Sequence, residues 1–184
     1  MSRKYKIRDQ EQLYFLSFAT VHWIDVFTRP LYKDILIESL EFCQKNKGLD
    51  IFAYVIMTNH VHLIVGRSGK QKIEEIIRDF KKFTAYKLLK TIAENNQESR
   101  KEWILWMMAR AGKKNPNNKN YQFWQQNNHP IALTSNKILE QKLEYIHNNP
   151  VEQGIVSEPE DYLYSSAKNY AGLVDIMLTV ILIE

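Results

Sequence analysis

The stretch IFAYVIMTNHVHLIV over residues 51–65 is apolar almost throughout, yet it carries two histidines two positions apart, His60 and His62. Thr58-Asn59 divides it into two strand-length halves, and so short a connection admits only a tight hairpin. Side chains alternate faces along a strand, so His60 and His62 stand side by side while Val61, Leu63 and Val65 point into a core. Burying two adjacent imidazoles in an apolar sheet is costly unless something binds them, and the usual partner is a metal ion or a phosphate. Taken alone, the motif also fits two half-exposed histidines on a solvated strand face.

The flanks set the fold class. Residues 13–21 read as a first strand, and a turn at Thr28-Arg29-Pro30 leads into a helix over 31–47, with Ile35, Leu36, Leu40 and Cys43 at helical spacing and Gly48 as its C-cap. Residues 71–93 form a long amphipathic helix. Ile73, Ile76, Phe80, Phe83, Thr84 and Lys87 share one side, and Arg78, Lys82, Tyr86 and Lys90 recur every fourth residue on the other. That basic row is either a solvated face or a track for a nucleic-acid backbone. Residues 95–120 are the least regular part. There Trp103, Trp106, Met107 and Met108 are expected to pack on the core, and residues 113–120 form a polar loop with Lys113 and Lys114. Strand-like segments resume at 121–124 and 131–133, and a last helix over 136–148 is stopped by Pro150. The sum is one α+β domain over residues 1–184, with helices packed on a largely antiparallel sheet.

Composition narrows the classes. A length of 184 residues and 45% hydrophobic and 25% charged residues fit a globular domain with a proper core. The single cysteine, Cys43, excludes an intramolecular disulfide framework and fits a reducing, cytoplasmic setting as a core thiol. No signal peptide is visible in the basic N-terminal residues, and the apolar tail at 173–183, read as a strand, is too short to span a bilayer, so no membrane partner is expected. The net charge of +4 and pI near 9.0, with clusters at Arg3, Lys4, Lys6 and Arg8, along 70–90, and at Arg110, Lys113, Lys114 and Lys119, suit a polyanionic partner.

The last helix holds a second constellation. Leu139, Leu143 and Ile146 make its core stripe, and Lys142, Tyr145 and Asn149 fall together on the flank of that stripe. A phenol, an amide oxygen and an ammonium thus share one patch. Ordinary C-terminal capping by Asn148 and Asn149, with Tyr145 as packing, is the plainer account of the same residues.

Asn59-His60-Val61-His62-Leu63, Phe123-Trp124-Gln125, His129-Pro130-Ile131, Tyr145-Ile146-His147-Asn148-Asn149-Pro150-Val151 and Asp161-Tyr162-Leu163-Tyr164-Ser165-Ser166-Ala167 together resemble the HUH single-tyrosine transposases, most of all the REP-associated tyrosine transposases. The resemblance covers about residues 14–170. It implies a ferredoxin-like fold whose central antiparallel strand bears the two histidines, and a DNA endonuclease and strand transferase acting on single-stranded or hairpin DNA, as monomer or homodimer. It further implies that His60, His62 and Asn149 bind a divalent metal and that Tyr145 is the nucleophile. Thr58 stands where the family commonly has proline, and residues 95–120 have no counterpart, as in a variable insert. A domesticated DNA-binding protein of the same fold that no longer cuts is the alternative.

The residue types suit that chemistry. A phosphodiester is anionic and gains charge during displacement, so a divalent cation helps by polarising it and orienting it for in-line attack. Two neutral imidazoles and one amide oxygen leave coordination positions open and do not cancel the ion's charge. Mixed nitrogen and oxygen ligands suit Mn²⁺ better than Mg²⁺, although Mg²⁺ is the more abundant. A phenol titrates near 10 and needs a nearby cation to ionise, which the metal and Lys142 would supply. Of the ten tyrosines, Tyr86 is the rival nucleophile, with Lys90 where a ligand would be needed. Arg78, Lys82, Lys90, Lys142, Lys113 and Lys114 are the candidate DNA contacts. His22 is expected at the surface, and His129 and His147 are open to phosphate contact or to turn and helix roles.

Overall fold

The computed structural model describes residues 7–115, 120–126 and 128–183. Lys119, Arg3, Lys4 and Lys6, and with them part of the expected polar loop, lie outside the described residues. Three strands and a short fourth form an antiparallel sheet in the order β2-β3-β1-β4. They are β1 (Tyr14–Ala19), β2 (Leu49–Ile56), β3 (His60–Arg67) and β4 (Ile131–Ala132). With α1 (Pro30–Lys47) after β1 and α2 (Ile73–Glu94) after β3, this is a ferredoxin-like α+β fold.

The strands form where the apolar alternation places them. Val61, Leu63 and Val65 are fully buried on the side of the sheet that α1 and α2 cover. Phe18, opposite Val61 across β1, meets Phe80 of α2 edge-on at 5.9 Å. Gly48 ends α1 with a φ of 67°, its N–H donating to the Cys43 carbonyl, and a Cβ there would sit 2.6 Å from the Gly69 backbone. Glycine is required at that crossing on both counts. Cys43 is buried, and burial pushes its thiol up to about 11, so it is an inert core group.

The β2–β3 turn is a two-residue loop, with the Met57 N–H donating to the His60 carbonyl at 2.9 Å. Thr58 donates its hydroxyl to Asp25 Oδ1 at 2.6 Å. With Asn59 bonded to the same carboxylate, the turn is tethered to the segment between β1 and α1.

Several expectations are corrected. Residues 95–120 contain a regular helix, α3 (Lys101–Lys113), whose buried stripe is Ile104, Met108 and Ala111. Trp103 and Trp106 face outward instead of packing on the core, and Arg110 lies over the Trp106 ring at 5.3 Å. Phe83 is likewise exposed on α2. Residues 121–124 make no strand beyond a single bridge from Trp124 to Thr20. Helix α4 (Asn136–Glu152) runs through Pro150. The proline costs only the bond to the Ile146 carbonyl, and the ladder closes behind it through Gln153 N–H to Asn149 and Ile155 N–H to Pro150.

The tail at 173–183 is not a strand. The outer edge of β2 is already bonded at Tyr54 and Ile56 by residues 164–166, leaving only the Ile51 carbonyl for Ile181 N–H. Leu178 and Val180 still bury against the domain. Among the described residues, no helix is long and apolar enough to cross a membrane.

Candidate active site

The sheet face opposite α1 and α2 carries His60 and His62, and α4 packs over it. The two imidazoles lie 4.8 Å apart between ring centroids and are 7% and 5% exposed. Cross-strand register brings in β1: Ser17 lies opposite His62 and Phe15 opposite Ile64, and the Phe15 ring stacks on His62 at 5.3 Å. Ile146, fully buried, anchors α4.

Tyr145 and Asn149 both descend from α4 onto this face. The Tyr145 hydroxyl lies 3.4 Å from His62 Nε2, long for a hydrogen bond, and the two rings are 5.1 Å apart. Tyr145 is 38% exposed, whereas Asn149 is buried. Because the helix continues through Pro150, Asn149 is held in regular helix and not at a frayed end. Lys142 Nζ sits 4.9 Å above the Phe15 ring and 5.4 Å above the Tyr145 ring, placing a cation beside the phenol.

Burial governs the electrostatics. It pushes His62 down to about 3, helped by the positive potential of His60 and Lys142. His60 is lowered by burial too, partly offset by the Asn149 amide and the Asp25 carboxylate. Both imidazoles are therefore neutral at pH 7, with lone pairs free to bind. His60 Nδ1 lies 2.7 Å from Asn59 Oδ1. Asn59 in turn donates to Asp25 Oδ1 at 2.9 Å and to the Trp23 carbonyl at 3.2 Å. The relay makes Nδ1 the protonated nitrogen of His60 and leaves Nε2 as acceptor.

Of the four buried side-chain polar atoms without a hydrogen-bond partner among the described residues, two lie at this site, His62 Nδ1 and Asn149 Oδ1. A buried polar atom left unpaired calls for a physical explanation, and a pair of them beside two neutral imidazoles suits a ligand-binding role. Among the described residues, no three His, Cys, Asp or Glu side chains converge as metal ligands. A site here is thus two imidazoles and an amide, a set that fits a divalent ion keeping open positions.

The structure brings His60, His62, Tyr145, Asn149 and Lys142 together. Arg78, Lys82 and Lys90 stay on α2, across the sheet from the histidines, with Arg78 paired to Asp79 and Lys90 to Glu94. Tyr86, 67% exposed on that same helix, is remote from the pair. Lys113 and Lys114 end α3, and Lys114 borders a cleft that His22 also lines. His147 bonds Ser166 Oγ through Nε2 at 2.9 Å and packs on Tyr170, a structural role and not a phosphate contact. Sequence reasoning missed Asp25, Trp23 and Phe15. Phe15 was recoverable from strand register, but nothing local ties Asp25 to a turn more than thirty residues away.

The family model for IS200-like transposases matches residues 14–109, a span that holds the histidine pair but ends before Tyr145 and Asn149. Among solved structures, a REP-associated tyrosine transposase bound to a REP hairpin matches with a TM-score of 0.65 at 16% identity, over 100% of this chain and 94% of that one. A candidate transposase from Deinococcus radiodurans R1 matches with a TM-score of 0.44 at 20% identity, over 80% and 95% of the two chains. No curated protein matches the chain.

Proposed function

The chain belongs to the IS200-like transposase family, and from that premise we propose that it is a metal-dependent endonuclease and strand transferase of single-stranded DNA, with Tyr145 as nucleophile. The observation that carries this reading is the Tyr145 hydroxyl 3.4 Å from His62, beside the orphaned His62 Nδ1 and Asn149 Oδ1. His60, His62 and Asn149 would hold a divalent ion, Mn²⁺ or Mg²⁺, which when bound polarises the scissile phosphate and offsets its charge.

The protein's own groups do the rest. Tyr145 Oη attacks phosphorus in line. The new Oη–P bond leaves a 5′-phosphotyrosine, and the breaking P–O3′ bond releases a 3′ oxygen that takes up a proton. Lys142, its Nζ 5.4 Å from the Tyr145 ring, sets a cation beside the reacting phosphate, and the half-open position of Tyr145 lets the phenolic proton reach solvent. Asp25 and Asn59 keep His60 in one tautomer. The phosphotyrosine conserves the energy of the phosphodiester, so attack by a second 3′-OH reseals a strand without a nucleotide cofactor. The partner of the neighbour with the shared fold supports hairpin DNA as substrate, with Lys142 as the phosphate contact beside Tyr145 and Lys114, on the cleft that His22 lines, as a further one.

The test is incubation of the protein with end-labelled hairpin DNA carrying a single-stranded flank, with Mn²⁺ or Mg²⁺, followed by denaturing electrophoresis. A covalent adduct that maps to the Tyr145 peptide is expected. Binding without any adduct would replace this reading with that of a non-cutting DNA-binding protein.

A further inference from the structure

Between β1 and α1 the chain turns through two consecutive left-handed residues, His22 and Trp23, each with a φ of 56°. Neither is glycine, and bulky residues in that region are disfavoured unless the surroundings over-determine them. Here they do. Thr20, fully buried, accepts the Trp23 N–H through its carbonyl and donates its hydroxyl to the Ile24 carbonyl at 2.8 Å, while Asn59 Nδ2 holds the Trp23 carbonyl.

The product of this turn is an indole turned outward. Trp23 is 56% exposed, although its ring centroid lies only 5.8 Å from that of His60, with the planes at 70°. A tryptophan of this size would ordinarily be buried, and the adjacent core residues Ile24, Val26 and Phe27 all are. The preceding residue, His22, lines a shallow cleft of about 400 Å³ together with Gln122, Gln125 and Gln126 among others. Gln122 is taken up by Asn115 and the Trp124 carbonyl, and Gln125 donates to the Thr20 carbonyl, so Gln126 is the amide that offers the donor and acceptor pair that base edges match.

We propose that Trp23 is a stacking platform for an unpaired base next to the scissile phosphate, and that the cleft that His22 lines receives the neighbouring nucleotide. This rests on the reading of the chain as a single-strand DNA nuclease. An exposed indole at the edge of the site presents a flat apolar face, and every base has a matching one. The strained turn sets the ring at the edge of the site instead of in the core, so Trp23 contributes to substrate positioning and takes no part in bond-making.

The experiment is an abasic scan. A set of single-stranded oligonucleotides, each lacking one base around the cleavage position, is titrated against wild type, Trp23→Ala and Trp23→Phe, with folding followed by circular dichroism. Trp23→Ala is expected to weaken binding of the intact strand about 5- to 150-fold, the range of base–aromatic stacking. One abasic position should weaken wild type to the same extent yet cost Trp23→Ala nothing further, and Trp23→Phe should restore most of the affinity. Additive losses at every position, or unchanged affinity in folded Trp23→Ala, overturn the stack. Adduct formation is scored separately on the intact strand. Its absence in wild type would sink the cleavage reading while a non-additive cycle still upheld the stack.

Discussion

His62→Leu separates the histidine's cost to the fold from its use in the site. In the folded protein burial pushes the imidazole down to about 3, whereas in the unfolded chain it titrates near 6.5. As pH falls below 6.5 the unfolded state gains a proton that the folded state refuses, so stability present at neutral pH is lost toward pH 3. Between pH 7 and pH 5 this one residue removes about 2 kcal/mol, and the full loss approaches roughly 5 kcal/mol. His60 is lowered, and His147 is pushed down to about 4, both by burial, so they tilt the curve the same way and the variant isolates one share of it. Leucine has a similar volume, and it removes the orphaned Nδ1, a burden of about 1–3 kcal/mol, while forfeiting the stack on Phe15. The variant should lie within about 2 kcal/mol of wild type at pH 7, since those two effects oppose. From pH 7 to pH 5 it should lose about 2 kcal/mol less than wild type. Urea unfolding by tryptophan fluorescence at both pH values, with a chelator present, measures this. Equal pH dependence in the two proteins would refute the account of His62 as a buried neutral imidazole.

Tyr145→Phe should fold and bind hairpin DNA like wild type yet form no covalent adduct, while Tyr86→Phe forms adduct normally; an adduct persisting in Tyr145→Phe reassigns the nucleophile. Mn²⁺ at a hundred times its dissociation constant should stabilise wild type by about 2.7 kcal/mol, roughly 5–11 °C in a melt for a domain of this size. His62→Leu and Asn149→Ala should lose most of that shift, and undiminished shifts would place the ion elsewhere. Arg78→Gln with Lys82→Gln should lower the salt slope of hairpin binding by about 2 and leave a short single strand unaffected, because α2 lies across the sheet from the site. An equal change for both DNAs would mean that the cleaved strand itself runs over α2.

Much of the fold was legible because its signals are local. The alternation through residues 51–65, the helical spacing of Ile35 to Cys43 and the glycine after Lys47 each name their element without help from elsewhere. Helix α3 was obscured by its tryptophans. Reading Trp103 and Trp106 as core hid the stripe of Ile104, Met108 and Ala111 that in fact faces inward. Pro150 misled in the opposite sense, since the rule against prolines in helices weakens where only Val151 and Glu152 follow. The grouping of Lys142, Tyr145 and Asn149 follows from helix periodicity, and that of His60 and His62 from strand periodicity. That these two groups meet is a matter of how α4 lies on the sheet, which neither period encodes. Asp25, Asn59 and Trp23 form their network through turns, where contacts are set by hydrogen bonds between distant segments and leave no repeat to read.

Helix α4 carries Tyr145 and Asn149 one turn apart on a single rigid rod, and Pro150 leaves that rod unbroken. The two side chains therefore cannot travel independently. Any motion that swung a tethered 5′ end away from the sheet would lift Asn149 off the histidines in the same stroke and uncover Ile146. On the proposed reading, cargo transport and disassembly of the cutting centre would be one event, and a strand in transit would be protected from being cut again until the rod settled back.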